Sequence, residues 1–154
     1  MSANSRLTLA IHTLTWIANN ADNHYIATSE RIAQSVNTNP VILRGLLGEM
    51  AKYGLVRVQR GNNAGWTLAR KPEEITLLDV YRASRPSPLF AMHHTPPNPK
   101  CRIGHGIGPV LEEVYRDVQN SVEEQLTQIT IADILQRTLK YTDEHPIAAQ
   151  SAAT

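Results

Sequence analysis

The chain has 154 residues, of which 42% are hydrophobic, and its 15 basic and 14 acidic residues give a net charge of +1. This length and apolar content fit one compact domain with an appendage and exclude an intrinsically disordered chain. We find no run of about twenty apolar residues and no signal-peptide pattern, and one cysteine cannot form an internal disulfide, so we expect a cytoplasmic protein without a membrane partner.

Apolar spacing predicts a first amphipathic helix near the start of the chain. The residues that share its apolar face are Leu7, Ala10, Ile11, Leu14, Ile17 and Ala18. Their recurrence at intervals of three and four is the helical period, and the polar stretch 19–24 predicts the turn that ends the helix. We expect this helix to pack behind the two helices that follow.

Two shorter helices joined by a polar turn are predicted next. Thr28 or Ser29 can cap the first, because a hydroxyl oxygen accepts from the unpaired N–H groups of a helix start. Pro40 suits the first turn of the second helix, where its missing N–H costs nothing, with Thr38 or Asn39 as the cap. The predicted buried stripe of this second helix is Val41, Leu43, Leu46, Leu47 and Met50.

This order is typical of a helix-turn-helix motif, in which the first residues of the second helix meet base edges in the major groove of DNA. The candidate DNA-contacting residues of the motif are Thr28, Ser29, Asn37, Thr38, Asn39, Val41 and Arg44.

Two β-prone segments joined by a basic turn then predict the wing of a winged-helix domain. Gly61 and Gly65 bracket a tip in which two asparagines tolerate positive φ, while Val58, Trp66 and Leu68 supply side chains that pack. The side chains expected to face DNA are Arg57, Arg60, Asn62, Asn63 and Arg70. The alternative is an exposed hairpin with ordinary surface arginines.

Basic and acidic residues are segregated along the chain. Six basic residues and one acidic residue lie between 40 and 71, whereas eight acidic and three basic residues lie between 112 and 144. Such an asymmetry orients a protein on DNA, because the phosphates attract the basic side alone. The alternative for the acidic half is a solvated surface without a role in binding.

The remaining pattern predicts helices around a long loop. Thr76 caps a short helix, and the proline-rich stretch 85–108 predicts an irregular segment. A long helix from Pro109 to Gln128, a last helix from Thr130 and a disordered tail from His145 follow. The expected fold class is mostly α with a small β-hairpin. The expected division is a winged helix-turn-helix domain at 1–84, a sensor-like loop at 85–108, a dimerisation helix and C-terminal helix at 109–142, and a disordered tail at 143–154.

The long helix carries an apolar stripe that needs a partner. The candidate interface residues are Val110, Val114, Val118, Val122 and Leu126. The same helix of a second subunit is the simplest partner, since two-fold dimers are the commonest oligomers. Packing of the stripe against its own domain is the alternative.

Several stretches together carry a resemblance to a known family. They are Ser5-Arg6-Leu7, residues 35–41, the wing at 60–69, residues 75–80 and Asn98–Gly104. Over residues 2–140 the chain resembles the Rrf-two family of winged-helix transcription regulators, whose members include IscR, NsrR and CymR. It is most similar to the cluster-free YwnA-like branch, which shares the Asn-Thr-Asn-Pro turn and the Asn-Pro-Lys-Cys loop. The resemblance implies a homodimer that binds a pseudo-palindromic operator in double-stranded DNA and represses a small set of genes.

Cys101 is the single cysteine of the chain, whereas cluster-binding relatives carry three in this region. We therefore expect no iron–sulfur cluster, no other cofactor and no metal. An alternative zinc or unusual cluster site would combine Cys101 with His93, His94 and His105, because thiolate and imidazole are both competent ligands. The spacing of these residues matches no recognised ligand pattern.

Cys101 is also a candidate redox sensor. Lys100 and Arg102 flank it and a helix follows, and both positive charge and helix N-termini stabilise a thiolate. Oxidation would give a sulfenic acid, a mixed disulfide with a small thiol or a bridge to Cys101 of a second subunit. The alternative is a buried, inert cysteine.

No glycine-rich phosphate loop, nucleophile elbow or carboxylate–histidine constellation is found, so we do not expect an enzyme. The sequence predicts a DNA-binding transcriptional regulator, specifically a homodimeric repressor with a possible thiol response through Cys101. Two alternatives stay open. One is a winged-helix protein-interaction module, and the other is a regulator of a small-molecule or metal signal without redox sensing.

Overall fold

The computed structural model of the chain describes residues 3–22 and 26–147. Helices and one antiparallel hairpin make up this part of the chain, as the sequence predicts. The elements are α1 Ala3–Asn20, α2 Ser29–Val36, α3 Pro40–Lys52, β1 Val56–Gln59, β2 Gly65–Leu68, a 3₁₀ turn Pro72–Glu74, α4 Leu77–Ala83, α5 Arg102–Thr127 and α6 Ile131–Glu144. None of the helices in these two ranges has the length and apolar character needed to cross a membrane.

The helix-turn-helix begins and turns at the predicted polar residues. Thr28 Oγ1 accepts from a backbone N–H in the first turn of α2 at 3.3 Å, and Asn39 Oδ1 does the same for α3 at 2.8 Å. Pro40 is the first residue of α3. Asn37 ends α2 in the left-handed region, with φ of 52°, a conformation that asparagine tolerates better than most residues. The caps therefore fix a short turn between the two helices.

The core lies between α1, α3 and α4 and includes the start of α6. Its largest fully buried apolar side chains are Leu14, Ile32, Leu43, Leu47, Met50, Leu55, Ile75, Val80 and Ile131. The prediction that Val41 belongs to the buried stripe is wrong, because this side chain is 65% exposed. At 100° per residue, Val41 lies about 200° around the helix from Leu43 and so faces away from the core.

The wing has the predicted strands but a different tip. Val58 lies opposite Trp66 in the register of β1 and β2. At the tip Gly61 takes positive φ, at 99°, whereas Asn62 and Asn63 do not, because the glycine alone supplies the reversal. Val58 does not pack but is 56% exposed. It shares a strand face with buried Val56 but lies one step further out, beyond the edge of the core.

Helix α5 begins at Arg102, so the prediction that the irregular stretch runs to residue 108 and the helix starts at Pro109 is wrong. Pro109 lies inside the helix. Three glycines in residues 102–108 made this stretch resemble a loop. Gly104 is instead a helical residue against which the backbone of Asn98 packs closely. A Cβ at Gly104 would lie 2.4 Å from the backbone oxygen of Asn98, so the turn before the helix can approach it only where a side chain is missing.

Helix α6 returns to the winged-helix domain. The N–H of Ile131 donates to the backbone oxygen of Ile75 at 2.9 Å, and α6 packs along α1. A capping box between Thr130 and Asp133 begins the helix. The helix continues to Glu144, two residues into the predicted tail, and residues 148–154 of that tail lie outside the described part of the chain.

Candidate nucleic-acid interface

The outward face of α3 carries exposed residues that the sequence proposes as DNA contacts. Val41 and Arg44 point away from the core, and Asn37 and Asn39 lie exposed in the turn just before the helix. Thr38, between the two asparagines, is half-buried. Because the other side chains are exposed around the start of α3, the first turns of the helix can enter a groove of DNA.

A cleft brings the helix-turn-helix and the wing together. Its lining residues are Thr28, Ser29, Glu30, Arg44, Val58, Gln59, Arg60, Gly61, Ala64, Gly65 and Trp66. The predicted residues Thr28, Arg44 and Arg60, far apart in sequence, thus share one surface. This surface is the candidate nucleic-acid interface.

Glu30 is a member of this surface that sequence reasoning missed. Its Oε1 atom lies 2.9 Å from Arg44 NH1, and both side chains are more than half exposed. An exposed ion pair of this kind contributes about 0–1 kcal/mol to stability. In the protein without DNA, the carboxylate therefore competes for the guanidinium without holding it strongly.

The basic and amide side chains of the wing fall into two groups. Arg60, Asn62 and Asn63 are exposed at the tip, and Arg57 is exposed on β1, where its Nε donates to Thr67 Oγ1 at 3.3 Å. Arg70 differs from the prediction, since it does not project with them. These are its contacts: Asp79 Oδ2 at 3.0 Å and the Glu74 backbone oxygen at 3.3 Å.

Ser29 is also placed differently from an exposed DNA contact. Its side chain is buried, and its Oγ atom accepts a hydrogen bond from the indole Nε1 of Trp66 at 3.2 Å. Thirty-seven positions separate the two residues, so no local pattern in the sequence signals this contact. The serine hydroxyl thereby joins the start of α2 to the wing.

The apolar stripe of α5 stays open to solvent along most of its length. Val110, Val114 and Val118 are 56%, 47% and 38% exposed, and Val122 and Leu126 are half-buried. A neighbouring face of the helix, about 100–140° around from Val118, packs on α4. There Arg82 NH2 lies 3.2 Å from Glu123 Oε2, and Gln119 Nε2 donates to the Tyr81 hydroxyl at 3.1 Å. Packing against its own domain thus leaves the predicted stripe largely uncovered.

Cys101 is exposed at the start of α5, which contradicts the alternative of a buried cysteine. The backbone N–H groups of Gly104 and then Ile103 lower the pKa of the Cys101 thiol, against a smaller opposing effect of desolvation. The Cys101 side chain forms no capping hydrogen bond with α5. We attribute the lowered pKa to the dipoles of these N–H groups at the start of the helix, which favour the thiolate. The flanking Lys100 and Arg102 are not among the causes, which differs from the prediction.

Of the three histidines near Cys101, two contact each other. His93 and His94 stack on each other with ring centroids 4.7 Å apart, and His93 Nδ1 lies 3.0 Å from the Thr95 backbone oxygen. Within residues 3–22 and 26–147, no group of three or more His, Cys, Asp or Glu side chains is arranged to hold a metal ion.

The fold and this surface define a winged-helix protein of the transcription-regulator class. Residues 3–137 match the Rrf2 profile, described as an iron-dependent transcriptional regulator, and the chain belongs to this family, the Rrf-two family named above. YwnA of Bacillus subtilis (strain 168), assigned to the HTH-type transcriptional regulators, is 38% identical over 133 residues, which are 86% of this chain and 96% of YwnA.

Solved structures agree with the family assignment. A crystal structure of a protein assigned as DNA-binding is 34% identical, covers 84% of this chain and 98% of its own, and has a TM-score of 0.66. IscR from T. potens, at 24% identity, covers 93% and 89% with a TM-score of 0.65 and shares the fold. The matched family and its relatives are transcriptional regulators and not enzymes.

Proposed function

We propose that this protein is a homodimeric repressor that binds a pseudo-palindromic operator in double-stranded DNA and works in the cytoplasm, where it meets that DNA. The observation that carries the proposal is the shared surface of α3 and the wing, on which Arg44 and Arg60 line one cleft. A helix that reads bases in the major groove and a wing arginine that contacts phosphate or minor groove would use that surface together.

The roles of the individual residues follow from where they lie. Asn37, Asn39, Val41 and Arg44 are exposed at the end of α3 that would face bases, and Arg44 can donate two hydrogen bonds to a guanine edge. The second group consists of Arg57, Arg60, Asn62 and Asn63, which would contact the DNA backbone from the wing. Thr28 and Ser29 line the same cleft, where Thr28 caps α2 and Ser29 accepts the indole hydrogen bond of Trp66.

The exposed stripe of α5 supports a homodimer. Water-exposed valines at successive turns of a 26-residue helix are costly for an isolated chain, and burying them against the same stripe of a second copy removes that cost. Two copies of α3 related by a two-fold axis would then match the two halves of a pseudo-palindromic operator.

Cys101 supports a thiol response as a second part of the proposal. The thiol is exposed, and its lowered pKa increases the thiolate fraction that attacks an oxidant. With peroxide, the thiolate takes one oxygen atom to become a sulfenate and water is released. With a small disulfide, it forms a mixed disulfide and displaces one thiolate.

A binding experiment with two arginine variants tests the DNA-binding surface. Duplexes selected by the wild-type protein from a randomised library serve as the probe, and affinity is measured by fluorescence anisotropy over a series of salt concentrations. Arg44→Ala should relax the preference at one base position by about 1–3 kcal/mol. Arg60→Ala should weaken binding to all duplexes and reduce the salt slope by about 0.9.

Arg116→Ala, which removes an exposed arginine from α5, is the matched control and should leave both quantities unchanged. Wild-type protein that selects no sequence, or binds duplexes without a salt dependence, would instead favour a protein-interaction module.

A further inference from the structure

We propose that Trp66 is a positioning residue that locks the wing onto the start of α2 and so determines where Arg60 meets the DNA backbone. This inference rests on the proposed function. Two hydrogen bonds from the same residue carry it. The Trp66 backbone N–H donates to the Ala27 oxygen at 2.9 Å, and the indole Nε1–H donates to Ser29 Oγ at 3.2 Å.

The outer part of the wing needs such an anchor, because the side chains that hold the hairpin to the core, Val56 and Leu68, lie at its base. An isolated two-stranded hairpin is marginally stable in water, so its orientation depends on what it packs against. On β1, Val56 is buried, whereas Arg57, Val58 and Gln59 are exposed. The outer half of the hairpin therefore depends on β2 for its connection to the domain.

The neighbouring residue shows that the approach of β2 to residues 26–29 is tight. A Cβ built on Gly65 would lie 3.0 Å from the Ala27 backbone oxygen and 3.1 Å from Ile26 Cγ2. A larger residue at 65 would require this contact to open by a few tenths of an ångström, which would disturb the backbone bond from Trp66 to Ala27. Glycine at 65 and tryptophan at 66 thus act together to seat the wing.

The acceptor residues belong to the helix-turn-helix itself. Ser29 is the first residue of α2, directly after the N-cap Thr28, and both line the cleft that contains Arg44 and Arg60. The hydrogen bonds of Trp66 therefore fix the wing to the start of α2, the helix that packs against α3. Both arginines can then reach one DNA duplex at a fixed separation.

A double-mutant cycle between Trp66 and Arg60 tests the positioning role. Trp66→Phe keeps an aromatic ring but removes the indole donor, and Ser29→Ala removes the acceptor. Each should lower the affinity for a labelled random-sequence duplex about fivefold, since one neutral hydrogen bond is lost. The decisive result is the effect of Arg60→Ala. In the wild type it should lower the salt slope by about 0.9, and in the Trp66→Phe background it should change the slope much less.

Matched controls separate positioning from general stability. Trp16→Phe makes the same exchange in α1, and Ser35→Ala makes the same exchange at the far end of α2. Both should leave the effect of Arg60→Ala intact. Hydrogen exchange of the DNA-free protein adds a readout without DNA, because Trp66→Phe and Ser29→Ala should accelerate exchange in residues 65–68 while the amides of α1 stay protected.

Three outcomes would overturn the inference. An undiminished effect of Arg60→Ala in the Trp66→Phe background would show that Trp66 does not position the wing, although DNA binding would stand. Unchanged exchange in residues 65–68 would show that the indole bond does not hold the strand. Absence of duplex binding by the wild-type protein would overturn the proposed function itself, and the exchange result would still report separately on the anchor.

Discussion

The Arg44 guanidinium has two possible partners, the Glu30 carboxylate and DNA. Local electrostatics decides which of the two it binds. In the free protein its guanidinium is 2.9 Å from the Glu30 carboxylate, in a cleft open to water. A guanine edge or a phosphate would have to replace that carboxylate or share the guanidinium with it. If Arg44 contacts DNA as proposed, Glu30 should cost affinity for any duplex, and a correct base should recover that cost through hydrogen bonds that a wrong base cannot supply.

Glu30→Gln should raise the affinity for random-sequence duplexes about fivefold, since the charge that it removes repels nearby phosphates by about 1 kcal/mol. The ratio of the affinity for the selected sequence to the affinity for random sequences should become smaller. Thermal stability should change little, because the pair is exposed. Glu73→Gln makes the same charge change away from the cleft and is the control. Weaker binding by Glu30→Gln would mean that Glu30 organises Arg44 for DNA.

The Cys101 thiol should react faster than an ordinary thiol at neutral pH. The N–H groups of Gly104 and Ile103 lower its pKa, so more thiolate is present below the usual titration range. Alkylation rates measured against pH should give an apparent pKa below that of a free cysteine in a peptide. Cys101→Ser should bind duplex DNA normally and ignore peroxide. Oxidant-insensitive binding by the wild-type protein would remove the thiol response and favour a small-molecule signal.

At the scale of elements, helix ends explain much of the architecture. Thr28, Asn39, Thr76 and Thr130 each accept a hydrogen bond from the backbone of the helix that they begin. Two of these caps, at Thr76 and Thr130, are full capping boxes, and the two residues also form a β-bridge with each other. The starts of α4 and α6 are therefore fixed side by side, and this attaches the C-terminal helix to the winged-helix domain.

Asp133 gives this arrangement a pH dependence. The backbone N–H of Thr130 and then its hydroxyl lower the pKa of the Asp133 carboxyl, so the charged form favours folding. The stabilisation is present above the pKa of the unfolded chain and is lost as pH falls through the lower pKa of the folded protein. Asp133→Ala should therefore lower the melting temperature at neutral pH, and the difference should shrink in acid. Asp143→Ala, near the other end of α6, is the control, and an equal loss there would contradict the capping role.

At the scale of the whole molecule, the apolar stripe of α5 and the segregated charges are both compatible with a dimer that presents its basic surfaces to DNA. The basic surface of α3 and the wing lies in the first half of the sequence, and the acidic residues cluster in α5 and α6. An acidic half repels phosphate and leaves the basic half as the side that approaches DNA. A dimer through α5 would keep both basic surfaces available for one duplex.

Val118→Asp should separate the proposed dimer. Burying a carboxylate in an apolar contact costs several kcal/mol, so the variant should sediment as a monomer and bind duplex DNA far more weakly. Asn120→Asp adds the same charge at an exposed position about 200° around α5 and should remain dimeric. A wild-type monomer at micromolar concentration would contradict the dimer proposal before any variant is made.

Local signals in the sequence were sufficient to predict the order of the helices, the turn and the strands of the wing, although not the start of α5 or the conformation of the wing tip. A cap such as Thr28 or Thr130 acts on N–H groups two or three residues away, and the apolar period of α1 or α3 repeats within two turns, so short stretches contain the necessary information. One error arose where a close backbone contact decided the outcome. Gly104 indicated a loop by its type, but the approach of the Asn98 carbonyl explains its presence in a helix.

The residues of the candidate interface also fall into those that short stretches of sequence predict and those that only tertiary packing places. The sequence by itself determined a winged helix-turn-helix fold, the basic segment and the exposed candidates Asn37, Arg44 and Arg60, since these follow from short-range patterns and charge. The tertiary structure alone decided that Ser29 is buried under Trp66, that Arg70 turns to Asp79 and that Glu30 meets Arg44. Each of these contacts joins residues that are 9 to 37 positions apart in the sequence. Their distances depend on how the elements pack, which no local pattern encodes.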